Sequence, residues 1–220
     1  MNTIYLDIET IPNQSPDYAA QVLETIEPPA RYSKPESIAK WKAEEGPAAA
    51  AEKIAKTSFD PALGHIACIS WAIGDGRVQA ASVPRLEVEE VALAMFFAAL
   101  PTQGMNQFVG HYITGFDLRF ILCRAVVLGV KLPSKVAFPR DTKPWGDETF
   151  DTMVAWAGAR DRISQDNLCR ALGLDCKGDF DGSMVAEAWA NGEHQKIAEY
   201  CKRDVETVRA IHQRFLAVGY

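Results

Sequence analysis

Asn2-Thr3-Ile4-Tyr5-Leu6-Asp7-Ile8-Glu9-Thr10 is the stretch on which the reading of this chain turns. Ile4, Leu6 and Ile8 alternate with Thr3, Tyr5, Asp7 and Glu9. That is the period of a β-strand, so Asp7 and Glu9 leave the sheet on the same side. Two carboxylates on a strand this apolar are costly unless a cation sits between them. A divalent metal meets the need: Mg²⁺ takes one or two protein carboxylates and fills its other positions with water and phosphate oxygens. The competing reading is an edge strand with a wet polar face, and Asp-x-Glu alone does not choose between them.

With 220 residues, 48% hydrophobic and 24% charged, the chain is long enough for one large core, and a single domain over 1–220 is expected. The N-terminus carries no basic stretch followed by an apolar run, which argues against a signal peptide. The longest apolar run, Val91–Leu100, is alanine-rich and well short of the ~18 residues of a membrane span, so no membrane partner is expected. Five cysteines without a Cys-x-x-Cys pair point to reduced thiols and a cytoplasmic protein. A formal net charge of −6 excludes a protein that coats nucleic acid through charge alone. A nucleic-acid enzyme of this charge grips a short stretch, with bound metals supplying much of the positive charge.

The first strand ends at Thr10-Ile11-Pro12, where proline removes a ladder donor. Residues 13–61 form a polar, Pro- and Ala-rich insertion with helices expected over Tyr18–Glu27 and Ser37–Ala55, the second bent or broken at Gly46-Pro47. Glu36 and Ser37 offer capping chemistry. Both a substrate-covering flap and a structural appendage fit this stretch. Gly64–Ile73 reads as a strand, and the turn Gly74-Asp75-Gly76 returns Val78–Val83 antiparallel to it. Glu87–Leu100 is an amphipathic helix, Gln107–His111 a short strand, and Gly115–Val130 a very apolar helix expected to be largely buried. Phe150–Trp156, Ser164–Leu172 and Ser183–Asn191 read as short helices, and Glu193–Val218 as a long closing one. The order predicts an α/β fold, a mixed central sheet with helices on both faces.

Further acids lie far downstream. Gly110-His111-Tyr112-Ile113-Thr114-Gly115-Phe116-Asp117 runs from a strand end into a helix start, placing Asp117 in the first turn, where capping and the helix dipole also favour Asp. In the last helix Ile197, Cys201, Val205, Val208, Ile211 and Phe215 form the core-facing stripe. Tyr200 and Asp204, four apart, stack beside that stripe; a boundary tyrosine and a solvated Asp204 near Arg203 is the plainer reading.

Asp-x-Glu-Thr on the first strand, Gly-Phe-Asp opening a central helix and Tyr-x-x-x-Asp on the last helix, in this order, resemble the DEDD superfamily of 3′–5′ exonucleases in its tyrosine-bearing (DEDDy) branch. The chain looks similar to stand-alone exonucleases related to the proofreading domain of family B DNA polymerases. The His65-to-Trp71 strand, Phe150-Asp151-Thr152 and Lys177-Gly178-Asp179-Phe180-Asp181-Gly182-Ser183 support it. The histidine branch places His five residues before the last Asp; here that position is Glu199, so Tyr200 is the match.

The resemblance implies an RNase H-like domain using two Mg²⁺ or Mn²⁺ ions. By it, Asp7, Glu9 and Asp204 hold the first ion and Asp7 and Asp117 the second, while Tyr200 orients the attacking water. The ions clamp the attacking and leaving oxygens of the terminal phosphodiester. Thr10 and Ile11 contact the 3′-terminal nucleotide, and Phe116 either stacks on a base or belongs to the core. Relatives often carry Asn where this chain has Tyr112, which puts one polar contact to the strand in doubt. Asp151 is given a structural role or one supporting the metal-binding acids. The dispersed His65, His111, His194 and His212 do not read as a zinc site. Within Pro133–Trp145, Arg140 and Lys143 interleave with Phe138 and Trp145, which reads either as a single-strand grip or as a loop pinned to the core. The expected substrate is the 3′ end of single-stranded DNA. RNA is the alternative, and a non-catalytic nucleic-acid or polymerase-associated module is the reading of another class.

Overall fold

The computed structural model describes residues 1–143, 146–175 and 178–220. Among these, Asn2–Ile11 (β1), His65–Ile73 (β2), Gln79–Ser82 (β3), Asn106–Gly110 (β4) and Thr149–Asp151 (β5) form one five-stranded sheet in the order β3-β2-β1-β4-β5. β1 is therefore the central strand, with Ile4, Tyr5 and Leu6 all buried, and the edge-strand reading of Asp7 and Glu9 falls. β1 runs parallel to β4 from Asn2↔Asn106 to Tyr5↔Val109, and β4 runs parallel to β5. β2 and β3 are antiparallel across the expected Gly74-Asp75-Gly76 turn, so the sheet is mixed.

The chain divides into two compact units, Met1–Glu9 with Ile66–Tyr220, and Thr10–His65. In the second, α1 (Pro16–Thr25) is capped by Ser15, whose Oγ accepts the Tyr18 N–H. Of the bend or break expected at Gly46-Pro47 the structure has the break: α2 (Pro35–Glu44) is followed by α3 (Gly46–Ala55), because Pro47 cannot continue a helical ladder. Neither Glu36 nor Ser37 caps α2: the N-cap is Lys34, and Ser37 Oγ donates to its carbonyl at 2.7 Å. Val22, Ile26, Trp41 and Ala50 make this unit's core.

In the larger unit both sheet faces are covered. Ile4, Leu6, Ile8 and Phe108 meet Leu93, Phe96 and Phe97 of α4 (Glu89–Ala99) and Leu118 and Ile121 of α5 (Asp117–Leu128). Within this layer Arg124 donates to both carboxylate oxygens of Glu89, at 2.8 and 2.7 Å, and Ile66 N–H also donates to Glu89. α6 (Thr152–Ala157), α7 (Gln165–Leu172) and α8 (Val185–Ala190) lead to α9 (His194–Ala217). On the opposite face Tyr5, Ala72 and Val109 meet Val205 and Val208 of α9.

Two expectations need correction. Phe150–Trp156 does not begin as helix; its first residues belong to β5, a three-residue strand that completes the open edge of β4. α5 is shorter than Gly115–Val130 and is buried on one side only, with Val126 81% exposed. Among the described residues no helix is long and apolar enough to cross a membrane.

Candidate active site

The acids meet where the parallel ladder stops. β4 pairs with β1 only as far as Tyr5↔Val109, which leaves the Ile8 N–H beyond the register. Asp117, the first residue of α5, takes it: Oδ1 accepts from Ile8 N–H at 3.2 Å. A carboxylate from the start of α5 is thereby bonded to β1 between Asp7 and Glu9. Asp117 and Glu9 are buried, and Asp7 is half-buried.

α9 supplies the other wall. Tyr200 and Asp204 are each 3% exposed, so Asp204 is not a solvated surface acid. Between them sits Cys201, a residue the sequence placed only in the core stripe. Its Sγ lies 3.4 Å from both the carbonyl and Oδ2 of Asp7. The ligand atoms of Asp7, Glu9 and Cys201 all lie within 4.8 Å of one another. The signal for Cys201 was its helical spacing: it stands three residues before Asp204 and so shares its face. Phe180 meets the Tyr200 ring edge-on at 5.1 Å, and Lys196 lies over Phe180 at 5.0 Å.

Burial and mutual repulsion dominate the electrostatics. Burial first, then the charges of Asp204, Glu9 and Asp117, hold the Asp7 carboxyl well above the usual carboxylate range. Burial pushes Asp117 up to about 7, against bonds from its own and the Ile8 backbone that favour the charged form. The Tyr200 phenol is also raised, by burial and by Asp204, Glu9 and Asp7, and so keeps its proton at neutral pH. Burial raises the Cys201 thiol too, which makes it an S–H donor to Asp7. Converging carboxylate oxygens with raised proton affinity suit a hard divalent cation, which relieves the same repulsion that protons relieve.

Asp151 stands behind the loop that leads to Asp117. Oδ1 accepts from Tyr112 N–H at 3.0 Å and from Met153 N–H at 3.1 Å, and Oδ2 accepts from the N–H and hydroxyl of Thr114. It ties the loop leading to Asp117 to the start of α6. His111 bonds Thr152 and the Ile163 carbonyl, while His212 bonds the Tyr5 hydroxyl, so both serve as framework.

The residues expected to touch substrate are placed less uniformly. Phe116 lies against the core and 5.2 Å from Phe120. Thr10 donates to the Ser58 carbonyl and Ile11 is fully buried, both within the smaller unit. Arg140 and Lys143 are exposed, and Lys143 pairs with Asp141 at 3.7 Å. Phe138 is 7% exposed within the core, so it pins the loop and offers no platform for a base. Trp145 lies outside the described residues.

No curated protein sequence matches the chain. Its fold is similar to that of the family B DNA polymerase from the hyperthermophilic archaeon Pyrobaculum calidifontis, at 16% identity and a TM-score of 0.55. That match covers 98% of this chain and 24% of the polymerase chain, so this chain spans about a quarter of its length. The likeness establishes an α/β RNase H-like fold. Residues 61–218, which carry α5, α9 and every downstream acid of the site, match the model of one family: the chain belongs to the predicted 3′–5′ exonucleases related to the exonuclease domain of PolB.

Proposed function

We propose that the chain is a divalent-metal-dependent 3′–5′ exonuclease that removes nucleotides from the 3′ end of single-stranded DNA. The observation that carries this reading is the placing of Glu9, Asp117 and Asp204 around Asp7, whose carboxyl burial and their charges raise. A binding module has no need of buried like charges. Asp7, Glu9 and Asp204 would hold one Mg²⁺ or Mn²⁺ ion, and Asp7 and Asp117 a second. Bound there, such ions supply Lewis acidity at the scissile phosphodiester.

The chain's own groups do the rest. Tyr200 keeps its proton, its hydroxyl hydrogen-bonded to Asp204, and orients the attacking water through the phenolic oxygen without acting as a base. Phe180, edge-on to it, fixes the phenol's direction. Cys201 orients Asp7, and Asp151 fixes the loop that carries Asp117. The free thiols of Cys68, Cys123, Cys169 and Cys201 fit a reducing cytoplasm.

The test is to incubate the protein with 5′-labelled single strands of DNA and of RNA, with Mg²⁺ and with excess EDTA. A ladder shortening from the 3′ end of DNA, only with Mg²⁺, is expected. Preference for the RNA strand would shift the substrate class, and full activity in EDTA would overturn the metal-dependent reading.

A further inference from the structure

A cleft of about 270 Å³ opens beside the loop that leads to Asp117, lined among others by Tyr112, Thr114, Thr142, Arg160, Asp161 and Arg162. Among the described residues Tyr112 is the only non-glycine with positive φ, at 63°. A tyrosine in that region is strained and persists only where its surroundings hold it. Here they do. Its N–H donates to Asp151, and its ring lies so close over Gly115 that a β-carbon there would meet it at 2.2 Å. On the ring sits Arg162, its guanidinium carbon 4.5 Å from the ring centroid and its Nη2 donating to the tyrosine hydroxyl at 2.9 Å.

This stack of glycine, tyrosine and arginine fixes the direction of an exposed cation. Arg162 takes part in none of the ion pairs among the described residues. Arg160, also exposed, stands two residues away, with the single carboxylate Asp161 between them. Thr142 Oγ1 donates to the Thr114 carbonyl at 2.9 Å and steadies the facing wall. A surface arginine gains little from being held still unless it must meet a ligand of fixed geometry. A stacked guanidinium keeps its planar N–H donors for phosphate oxygens. Thr114 lies three residues before Asp117, so a phosphate held here is adjacent in the chain to the acids.

We propose that this cleft holds the sugar–phosphate backbone of the single strand, with Arg162, presented by Tyr112, and Arg160 on its phosphates. The assignment rests on the exonuclease reading above and replaces the Arg140–Lys143 loop as the grip on the strand.

Binding of a fluorescein-labelled oligothymidylate is measured by anisotropy over a range of salt, in Ca²⁺ under conditions where no product forms. Arg160→Ala with Arg162→Ala is expected to weaken binding at least tenfold. The slope of log K against log salt should fall by about 1.4 for two lost phosphate contacts. Arg162→Lys keeps the charge without the flat stack and should fall between the double variant and wild type. Arg140→Ala with Lys143→Ala should leave both binding and slope unchanged. Hydrolysis of the p-nitrophenyl ester of thymidine 5′-monophosphate, which has no neighbouring nucleotide to fill the cleft, should be equal in all of these proteins. Wild-type binding and salt slope in the Arg160/Arg162 variant would overturn the cleft, as would an equal loss on the ester, which would mark a structural role. If wild type cleaves neither substrate, the exonuclease reading falls while the binding measurements still judge the cleft.

Discussion

Two buried charged groups in the larger unit are built on opposite rules. On the α4–α5 side, Glu89 and Arg124 close a bidentate pair at 2.8 and 2.7 Å, with the Ile66 N–H as a further donor. At the sheet's rim, the charges acting on Asp7 are Asp204, Glu9 and Asp117, all of one sign. The first group is complete within the chain and serves the fold. The second leaves a surplus of negative charge that a cation from outside would offset. Burying a charge is affordable only when it is matched, so an unmatched cluster marks a site where the ligand supplies the missing sign.

The contrast is most severely tested by breaking the complete pair. Arg124→Ala leaves Glu89 buried without its cation and should cost about 3–5 kcal/mol in urea unfolding. The thermal response to Mg²⁺ of any protein that still folds should be unchanged. A loss below about 1 kcal/mol would show that Glu89 is relieved by other means.

Asp7→Asn is expected to do the reverse. It should leave the metal-free melting temperature equal or raised, since it removes one of several repelling charges. Its exonuclease rate should fall by roughly 10²–10³-fold, the scale of losing one preorganised electrostatic group. Wild type should gain about 2.7 kcal/mol at metal concentrations 100 times Kd, and Asp7→Asn should lose most of that gain. A full metal-induced shift in the variant would remove Asp7 from the ligand set.

Tyr200→Phe should have a smaller effect, a roughly tenfold lower kcat for one lost hydrogen bond, with KM and the metal response unchanged. A wild-type rate across pH would leave the tyrosine without a part in the reaction.

The mildest test concerns pH. Asp117 titrates at about 7 in the fold against an ordinary 3.8. Between these values the folded protein keeps a proton that the unfolded chain has released, so stability present below about pH 4 is lost as pH rises towards 7. The raised Asp7 acts in the same direction. Urea unfolding in EDTA should show lower stability at pH 7.5 than at pH 5. The slope should be shallower in Asp117→Asn and flattened by Mg²⁺. A rise in stability over that range would contradict the repulsion on which the whole contrast stands.

What the sequence determined was whatever local periodicity encodes. Alternation placed Asp7 and Glu9 together on β1, helical spacing placed Tyr200 and Asp204 together on α9, and the Gly-Asp-Gly turn fixed the β2–β3 hairpin. Proline at position 47 announced a bend or a break, and the structure has the break. Tertiary structure alone decided that β1 is central and not an edge, because burial of both faces is conferred by neighbours distant in the chain. It created β5, three residues too short to show a period, by offering them the free edge of β4. It brought Cys201, fully buried in the core stripe, to the side of Asp7, a proximity between positions 194 residues apart. It also sent Phe138 into the core and set Arg162 on Tyr112, because which aromatic ring is buried and which carries a cation depends on what packs behind it.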